Sequence, residues 1–247
     1  CSISGVFVLE RVIEYYYALA SPWSYLGNGQ LREIAARYDV TIDPIIIDYD
    51  RMFETVGTVP LPNRPPLRKA YRLVELKRWS ELRGIPLNPE PRFYRGEIEE
   101  PDERQAALMV TAAKRGGLDS LQFAHAISRA LWTEERNPFT PEELLDIAAA
   151  EGFDGSELRA AAATPEIARL YTEQTDRAIA RGAFGMPFYI FADEPFWGQD
   201  LLDLLDRALA RTLGDSRCSA DVALDPTRNC QQAVVVVASR DELGADR

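Results

Sequence analysis

The sequence predicts an α/β protein in which strand-forming segments at both ends of the folded region enclose a block of helices. Three observations support this prediction. A β-branched and aromatic stretch, a helical pattern and a second apolar stretch follow one another near the N-terminus. A long series of helical patterns comes next, and a short aromatic strand pattern with a final helix closes the region.

The first unit is predicted to be a strand, a helix and a second strand. Val12–Leu19 (VIEYYYAL) has strand composition and ends at Ser21-Pro22, because proline cannot continue a strand ladder. Tyr25–Tyr38 is predicted to be a helix. Val40–Ile47 is predicted to be the second strand, and its three consecutive isoleucines indicate burial on both faces. The order predicts a parallel strand pair joined by a crossover helix.

The middle of the chain is predicted to be helical, after a proline-rich connection. Asp48–Pro66 contains four prolines and is predicted to be a loop, of a length that is often functional. Ile85–Pro101 is predicted to be a second connection rich in proline. Helices are predicted over Leu67–Arg83, Asp102–Arg115, Ser120–Glu135, Pro141–Glu151, Gly155–Ala163 and Pro165–Arg181.

The last part of the folded region returns to strands. Pro187–Ala192 is predicted to be a strand, Phe196-Trp197 to open a paired strand, and Asp200–Leu213 to form the closing helix. This order is the layout of a thioredoxin-like fold with an inserted all-helical domain. We therefore expect an N-terminal extension (1–10), a thioredoxin-like domain (11–66 and 182–214), a helical insertion domain (67–181) and a disordered tail (215–247).

Composition and charge exclude several classes of function. The net charge of −11 disfavours binding to nucleic acid, and no apolar run is long enough to span a membrane, so we expect a cytoplasmic protein. The cysteines, Cys1, Cys218 and Cys230, all lie outside the region with helix and strand patterns. No cluster has the spacing of metal ligands, so we expect no metal. The single histidine, His125, lies in a helical pattern typical of a structural residue.

The tetrapeptide Ser21-Pro22-Trp23-Ser24 lies between the first strand and the first helix. Thioredoxin-type folds carry a redox CxxC motif at this junction, because a helix N-terminus stabilises a thiolate. A serine hydroxyl cannot exchange disulfides, but it can donate a hydrogen bond to a ligand's thiolate and lower its pKa. Alternatively, Ser21 only caps the helix. The motif alone leaves both interpretations open.

Two motifs near the C-terminal end complete a candidate site. Gly182–Pro187 (GAFGMP) precedes the late strand, where Pro187 can be cis and expose the backbone of Met186 to a peptide ligand. The alternative is a plain loop. Trp197–Asp200 (WGQD) places amide and carboxylate groups at a helix N-terminus, where they suit the γ-glutamyl end of glutathione. The alternative here is helix capping by Asp200.

Taken together, these motifs resemble those of 2-hydroxychromene-2-carboxylate isomerases and the related kappa-class glutathione transferases, in the DsbA-like thioredoxin superfamily. SPWSYLG, NRPPLRKAYRLVELKRW, ALWTEERN and GAFGMPFYIF…FWGQD stand in the family's order over Arg11–Arg211. The resemblance implies that Ser21 is the catalytic serine and interacts with the glutathione sulfur. It implies glutathione contacts from Ser21, Met186, Pro187, Trp197, Gly198, Gln199, Asp200 and Lys69, and contacts to the organic substrate from Asn63, Arg64 and Phe53.

Two positions depart from the family's pattern. Relatives commonly have arginine after the aspartate, and this chain has Leu201, so one carboxylate contact to glutathione is missing or supplied from elsewhere. Some isomerases carry a lysine for the substrate carboxylate where this chain has Phe53. An acidic substrate would then need Arg64 or Lys69.

The resemblance implies a homodimeric, glutathione-dependent cis-trans isomerase. A glutathione thiolate would add transiently to a 2-hydroxychromene-2-carboxylate-like aromatic acid, allow rotation, and leave again. One alternative is a kappa-like transferase or peroxidase that uses the same thiolate on an electrophile. A second is a non-catalytic glutathione-binding module. A third, a disulfide oxidoreductase of the DsbA type, is disfavoured because the chain has no CxxC motif.

Overall fold

The computed structural model describes residues 11–92 and 103–214. The predicted N-terminal extension (1–10), the predicted disordered tail (215–247) and all three cysteines lie outside the described residues. Within the described ranges, no helix is both long and apolar enough to cross a membrane.

The described chain contains one mixed sheet of four strands. The strands are β1 (Val12–Tyr17), β2 (Thr41–Ile46), β3 (Phe188–Phe191) and β4 (Glu194–Trp197), in the order β2-β1-β3-β4. β1 pairs with β2 in parallel, whereas β3 pairs antiparallel with both β1 and β4. These pairings confirm the predicted parallel pair near the N-terminus and the predicted strand pair near the C-terminus.

The helices lie between and after these strands. α1 (Pro22–Tyr38) connects β1 to β2, and seven helices of the described ranges lie between β2 and β3. The order confirms the predicted α/β fold with inserted helices, while the division into two domains stays a prediction. The remaining helices are α2 (Tyr49–Val56), α3 (Pro66–Arg83), α4 (Arg104–Arg115), α5 (Ser120–Trp132), α6 (Pro141–Ala150), α7 (Gly155–Ala162), α8 (Pro165–Ala180) and α9 (Leu202–Leu213), with 3₁₀ turns at Leu61–Asn63 and Gln199–Leu201.

The segment predicted to be a loop over Asp48–Pro66 contains helix α2, so that prediction was wrong for its first half. The Asp48 carboxylate caps the helix by accepting a hydrogen bond from the Arg51 amide at 3.1 Å. Met52 is fully buried beneath it, and Gly57 ends it with a φ of 74°. The four prolines all lie at or beyond position 60, so they do not interrupt these two turns.

Several predicted boundaries also shift. α1 begins at Pro22 rather than at Tyr25, because Ser21 caps it and proline is favoured at the first helical position. α9 begins at Leu202 rather than at Asp200, because a 3₁₀ turn precedes it. α5 ends at Trp132, three residues before the predicted end.

The central strand β1 packs against apolar clusters on both faces of the sheet. Ile13, Tyr15 and Tyr17 of β1 pack into a large apolar cluster with α1 and most of the later helices. Tyr16 points to the other face and packs with Ile45, Met52 and Phe188 among others. This alternation follows from the two-residue period of a strand, and it confirms the predicted burial of the isoleucine run in β2.

The inserted helices fix the loop between β1 and α1. The Ser128 hydroxyl of α5 donates to the Leu19 carbonyl at 2.8 Å and accepts from the Tyr17 hydroxyl at 2.8 Å. The Ala20 amide donates to the Glu103 carboxylate, just before α4, at 3.1 Å. The backbone that leads into Ser21 is therefore held by hydrogen bonds from two different helical elements.

His125 lies on α5 in a setting that keeps its imidazole neutral. Its ring stacks on Tyr25 with centroids 5.1 Å apart, and its Nδ1 has no hydrogen-bond partner among the described residues. Burial, followed by the nearby Arg129 and Arg32, lowers the pKa of His125 from 6.5 to about 4. A neutral, packed imidazole matches the structural role that the sequence favours.

The stability of the protein is expected to fall on acidification because of His125. Below pH 6.5 the unfolded chain binds a proton at this residue that the folded chain excludes until about pH 4. Lowering the pH from 7 to 5 should therefore cost the wild type about 2 kcal/mol of unfolding free energy through this group. His125→Phe keeps the stacked ring, and its unfolding free energy should fall by less over the same pH interval. Urea unfolding of both proteins at the two pH values checks this, and equal losses would contradict it.

Candidate active site

The structure brings two distant motifs together at the N-terminus of α1. The Ser21 hydroxyl accepts a hydrogen bond from the Ser24 amide at 3.3 Å and donates one to the Met186 carbonyl, also at 3.3 Å. The peptide bond between Met186 and Pro187 is cis, as the sequence suggested. Ser21 therefore caps the helix and also contacts the backbone edge that precedes β3, so the two interpretations of the motif are compatible.

The first turn of α1 favours a bound anion beside Ser21. Pro22 has no N–H group, and the Ser24 amide is used by the cap, which leaves the Trp23 amide as a first-turn donor. The turn contains no acidic residue that would neutralise the positive end of the helix. A thiolate or another small anion next to the Ser21 hydroxyl would be stabilised here.

Two adjoining cavities open at this point, and Trp23, Arg64 and Met186 line both of them. The smaller cavity has a volume of about 90 Å³, and the larger cleft has a volume of about 330 Å³. The smaller one is lined by Ala18, Ala20, Ser21, Pro22, Trp23, Tyr49, Phe53, Pro60, Leu61, Arg64, Arg72 and Met186. The larger one is lined by Trp23, Arg64, Glu75, Trp79, Met186, Trp197, Gly198, Gln199 and Asp200.

The Trp197–Asp200 motif forms the far end of the larger cleft. Gly198 has a φ of 92°, and the Asp200 carboxylate approaches it so closely that a Cβ atom would overlap Oδ1. Asp200 is exposed, so its carboxylate can meet a ligand's ammonium group. Gln199 is buried, with 1% of its surface exposed. The proposed glutathione contacts Met186, Trp197, Gly198, Gln199 and Asp200 therefore share one cleft.

The expected contacts to the organic substrate divide into two groups. Phe53 lines the smaller cavity and packs edge-on against Tyr49 at 5.7 Å, and Arg64 lines both cavities. Asn63 and Lys69 are exposed and line neither cavity, and Lys69 Nζ donates to the Pro62 carbonyl at 3.3 Å. The structure therefore brings Phe53 and Arg64 to the site but leaves Asn63 and Lys69 beside it.

Arg72 is a cavity residue that the sequence reasoning missed. It extends from α3 into the lining of the smaller cavity, and its guanidinium carbon lies 5.8 Å from the ring centroid of the buried Trp132. Its signal in the sequence was weak, because Arg68, Lys69 and Arg72 all lie in the first two turns of one helix. Which of these cations faces the cavity depends on the rotation of α3, and that is set by packing.

Within the described ranges, no group of histidine, cysteine and carboxylate side chains is arranged to hold a metal ion. The site offers a helix N-terminus, a serine hydroxyl, two arginines and the peptide edge of Met186.

Gly185 is expected to control the position of Trp197. A Cβ atom at residue 185 would lie 2.6 Å from Trp197 Nε1, and the indole is half exposed, so it can move away. Gly185→Ala should displace this wall of the cleft and weaken ligand binding about threefold to tenfold with little change in stability. Calorimetric titration with glutathione, together with thermal unfolding, checks this. Glutathione affinity equal to that of the wild type, or a large drop in the unfolding temperature, would contradict it.

Comparison with known proteins gives consistent matches over most of the chain. The family model of a DSBA-like thioredoxin domain matches residues 12–210. A 2-hydroxychromene-2-carboxylate isomerase of Pseudomonas putida is 30% identical over 206 residues, covering 81% of this chain and 95% of that protein. Human glutathione S-transferase kappa 1 is 27% identical over 218 residues, covering 81% of this chain and 92% of that protein.

A solved structure agrees with the sequence matches. The structure of a 2-hydroxychromene-2-carboxylate isomerase superposes with a TM-score of 0.69 at 28% sequence identity, covering 85% of this chain and 98% of that one. No cysteine lies in the part of the present chain that the family model matches. The chain thus has the fold of a DsbA-like thioredoxin domain, with no cysteine at the N-terminus of α1.

Proposed function

Since this chain belongs to the family of DsbA-like thioredoxin domains, we propose that it is a glutathione-dependent isomerase of 2-hydroxychromene-2-carboxylate-like aromatic acids. The observation that carries the proposal is the contact of the Ser21 hydroxyl, which caps α1, with the Met186 carbonyl, at a positive helix end where none of the described residues is a cysteine. A site that favours a thiolate but has no thiol of its own needs a thiol ligand.

The residues present fit glutathione. The Met186 backbone before the cis proline offers an edge for the peptide part of the ligand, and Asp200 offers a carboxylate for its ammonium group. The 330 Å³ cleft between them lies within the size range of small-molecule sites. The name of the human relative, a glutathione transferase, supports the same cofactor.

Glutathione, when bound, would supply a thiolate that adds reversibly to a conjugated double bond and so permits rotation about it. Ser21 would donate a hydrogen bond from its hydroxyl to the sulfur anion, giving up its long hydrogen bond to the Met186 carbonyl. The Trp23 amide and the positive end of α1 would add to this stabilisation. Ser21 is thus proposed to hold the anion and not to attack the substrate itself.

The aromatic acid is proposed to bind where the smaller cavity meets the larger cleft, because about 90 Å³ is too little for the whole molecule. Tyr49 and Phe53 provide apolar ring surfaces, and Arg64 and Arg72 bring two cations to an otherwise largely apolar lining. Guanidinium groups bind carboxylates through paired hydrogen bonds. Arg64 and Arg72 therefore take the role that a lysine at position 53 would have, and Lys69 is not needed for it.

Isomerisation by the wild-type protein is expected to require glutathione. The direct test compares the rate of cis-trans isomerisation of a 2-hydroxychromene-2-carboxylate substrate with and without reduced glutathione. We expect the rate without glutathione to equal that of the buffer control. A full rate without glutathione would contradict the proposed function.

A transferase or peroxidase is the second candidate, supported by the similarity to human glutathione S-transferase kappa 1. It would use the same bound thiolate on an electrophile rather than on a conjugated acid. Assays with aryl halides and hydroperoxides separate it from the isomerase. A non-catalytic binding module would bind glutathione without turnover in any of these assays.

We also propose that the protein is a cytoplasmic homodimer. Reduced glutathione is maintained in the cytoplasm, which suits the proposed cofactor.

The outer face of α3 carries exposed apolar side chains, Leu67, Tyr71, Val74 and Leu82, that a second copy would cover. Sedimentation equilibrium tests the dimer, and a monomer at micromolar concentration would contradict it.

A further inference from the structure

Arg83, the last residue of α3, joins α3 to the turn that carries the Trp197–Asp200 motif. Its Nε donates to Gln199 Oε1 at 2.6 Å, and one terminal nitrogen donates to the Gln199 backbone carbonyl at 2.8 Å. The other terminal nitrogen donates to Gln30 Oε1 on α1. The guanidinium carbon lies 5.1 Å from the ring centroid of Trp79, which lines the larger cleft.

These bonds determine which way the Gln199 amide faces. A guanidinium group has only donors, so it pairs with the carbonyl oxygen of the amide and not with its NH₂ group. Gln199 also lines the larger cleft. Its Nε2 is therefore the group that this side chain has left to offer a ligand, and Nε2 is a donor.

Gln199 is held from the α1 side as well. A Cβ atom on Gly27 would lie 2.8 Å from Gln199 Cβ, so the absence of a side chain at residue 27 allows this close approach. Gln30 Nε2 in turn donates to Asp203 Oδ1 at 2.8 Å. The turn is thus clamped between α1 and α3, with the Arg83 guanidinium between the two helices.

The charges at this end of the cleft bear on what the Gln199 amide, held in place by Arg83, can bind. Asp200 and Asp203 are both acidic, and residue 201 is an apolar leucine packed against the core. A carboxylate arriving here needs donors and a nearby positive charge to offset the two aspartates. Arg83 is half buried among these groups, and it lines a neighbouring cavity together with Asp200 and Asp203.

We infer that Arg83 is a positioning residue that orients the Gln199 side-chain amide so that its Nε2 donates to the α-carboxylate of a bound γ-glutamyl group. Arg83 thereby compensates, from a different helix, for Leu201. The inference rests on the proposed function, because the ligand is the γ-glutamyl end of glutathione. Asp200 accepts a hydrogen bond from the α-amino group of the same ligand, and Gln199 donates one to its α-carboxylate.

The experiment is a calorimetric titration of two proteins with two ligands. The proteins are the wild type and Arg83→Met, and the ligands are glutathione and γ-aminobutyryl-cysteinylglycine, which lacks only the α-carboxylate. We expect Arg83→Met to bind glutathione about tenfold more weakly, because a charge-assisted hydrogen bond is misaligned. We expect its affinity for the analogue to match that of the wild type within about twofold.

Two further variants separate positioning from a general structural effect. Arg68→Met removes an exposed arginine of the same helix that lines neither cavity, and it should change neither affinity. Arg83→Lys keeps a positive charge but cannot bridge the two Gln199 oxygens. Its affinity for glutathione should therefore lie between those of the wild type and Arg83→Met. If Arg83→Met does not fold, the comparison of Arg83→Lys with the wild type on both ligands carries the same test.

The outcomes are distinct. Equal weakening of both ligands by Arg83→Met, or no weakening of either, would overturn the role of Arg83 and leave the proposed function standing. Failure of the wild type to bind glutathione would overturn the proposed function itself. Selective loss of glutathione affinity supports the inference.

Discussion

Replacing Ser21 with alanine is expected to lower kcat/KM for glutathione-dependent isomerisation by about 100-fold. The hydroxyl lies at the N-terminus of α1 and donates to the Met186 carbonyl over 3.3 Å, a long bond that it can exchange for one to a sulfur anion. Hydrogen bonds to charged groups contribute about 1.5–3 kcal/mol, which is a factor of about 10 to 150 in rate or affinity. The effect should appear as a raised pKa of the bound thiol.

Ser24→Ala provides the matched control for this variant. The Ser24 hydroxyl is fully buried three residues further along the same helix, and its Oγ has no partner among the residues described. Its removal should leave activity unchanged. Ser21→Ala should also lose about 1 kcal/mol of stability, because Oγ caps the helix. Unchanged activity in Ser21→Ala, or equal loss in both variants, would contradict the assigned role.

Replacing Arg72 with methionine is expected to raise KM for an acidic substrate about 30-fold. Arg72 reaches the lining of the smaller cavity, where a guanidinium can pair with a carboxylate beside the rings of Tyr49 and Phe53. Methionine keeps an apolar stem of similar length and removes the charge. The KM for the methyl ester of the same substrate should change about twofold or less in Arg72→Met, because the ester has no charge to pair with the guanidinium.

Arg68→Met is the control for Arg72. Arg68 is exposed, lies one turn earlier on α3 and is absent from the lining of either cavity, so its replacement changes the net charge equally without touching the site. Steady-state kinetics on the acid and the ester check all three proteins. Equal effects of Arg72→Met on acid and ester would contradict carboxylate recognition by this residue.

The order of the secondary structure could be predicted because the signals are local. Prolines and caps mark helix starts, as at Thr140-Pro141 and Thr164-Pro165, and both begin helices in the structure. α2 was missed because prolines outweighed the single capping signal of Asp48. The shifted start of α9 has a different cause, because Gln199–Leu201 forms a 3₁₀ turn that no periodicity reveals.

The site could be predicted where its residues lie in contiguous motifs. Ser21, Met186 and Asp200 each stand at the end of a strand or helix, so the topology brings them together. Arg72 and Arg83 could not be identified in this way. Both lie on α3, a helix rich in charged residues, and only tertiary packing decides which of its cations face the cavity and the Gln199 turn.

The pKa of the glutathione thiol in the complex is the measurement that tests the central claim most directly. It can be followed by the ultraviolet absorbance of the thiolate as the pH is raised, in the wild type and in Ser21→Ala. A free thiol titrates near pH 8.5, and we predict a value at least about one unit lower in the wild-type complex, with much of the shift lost in the variant. A bound thiol that titrates as it does in free solution, in both proteins, would contradict the account.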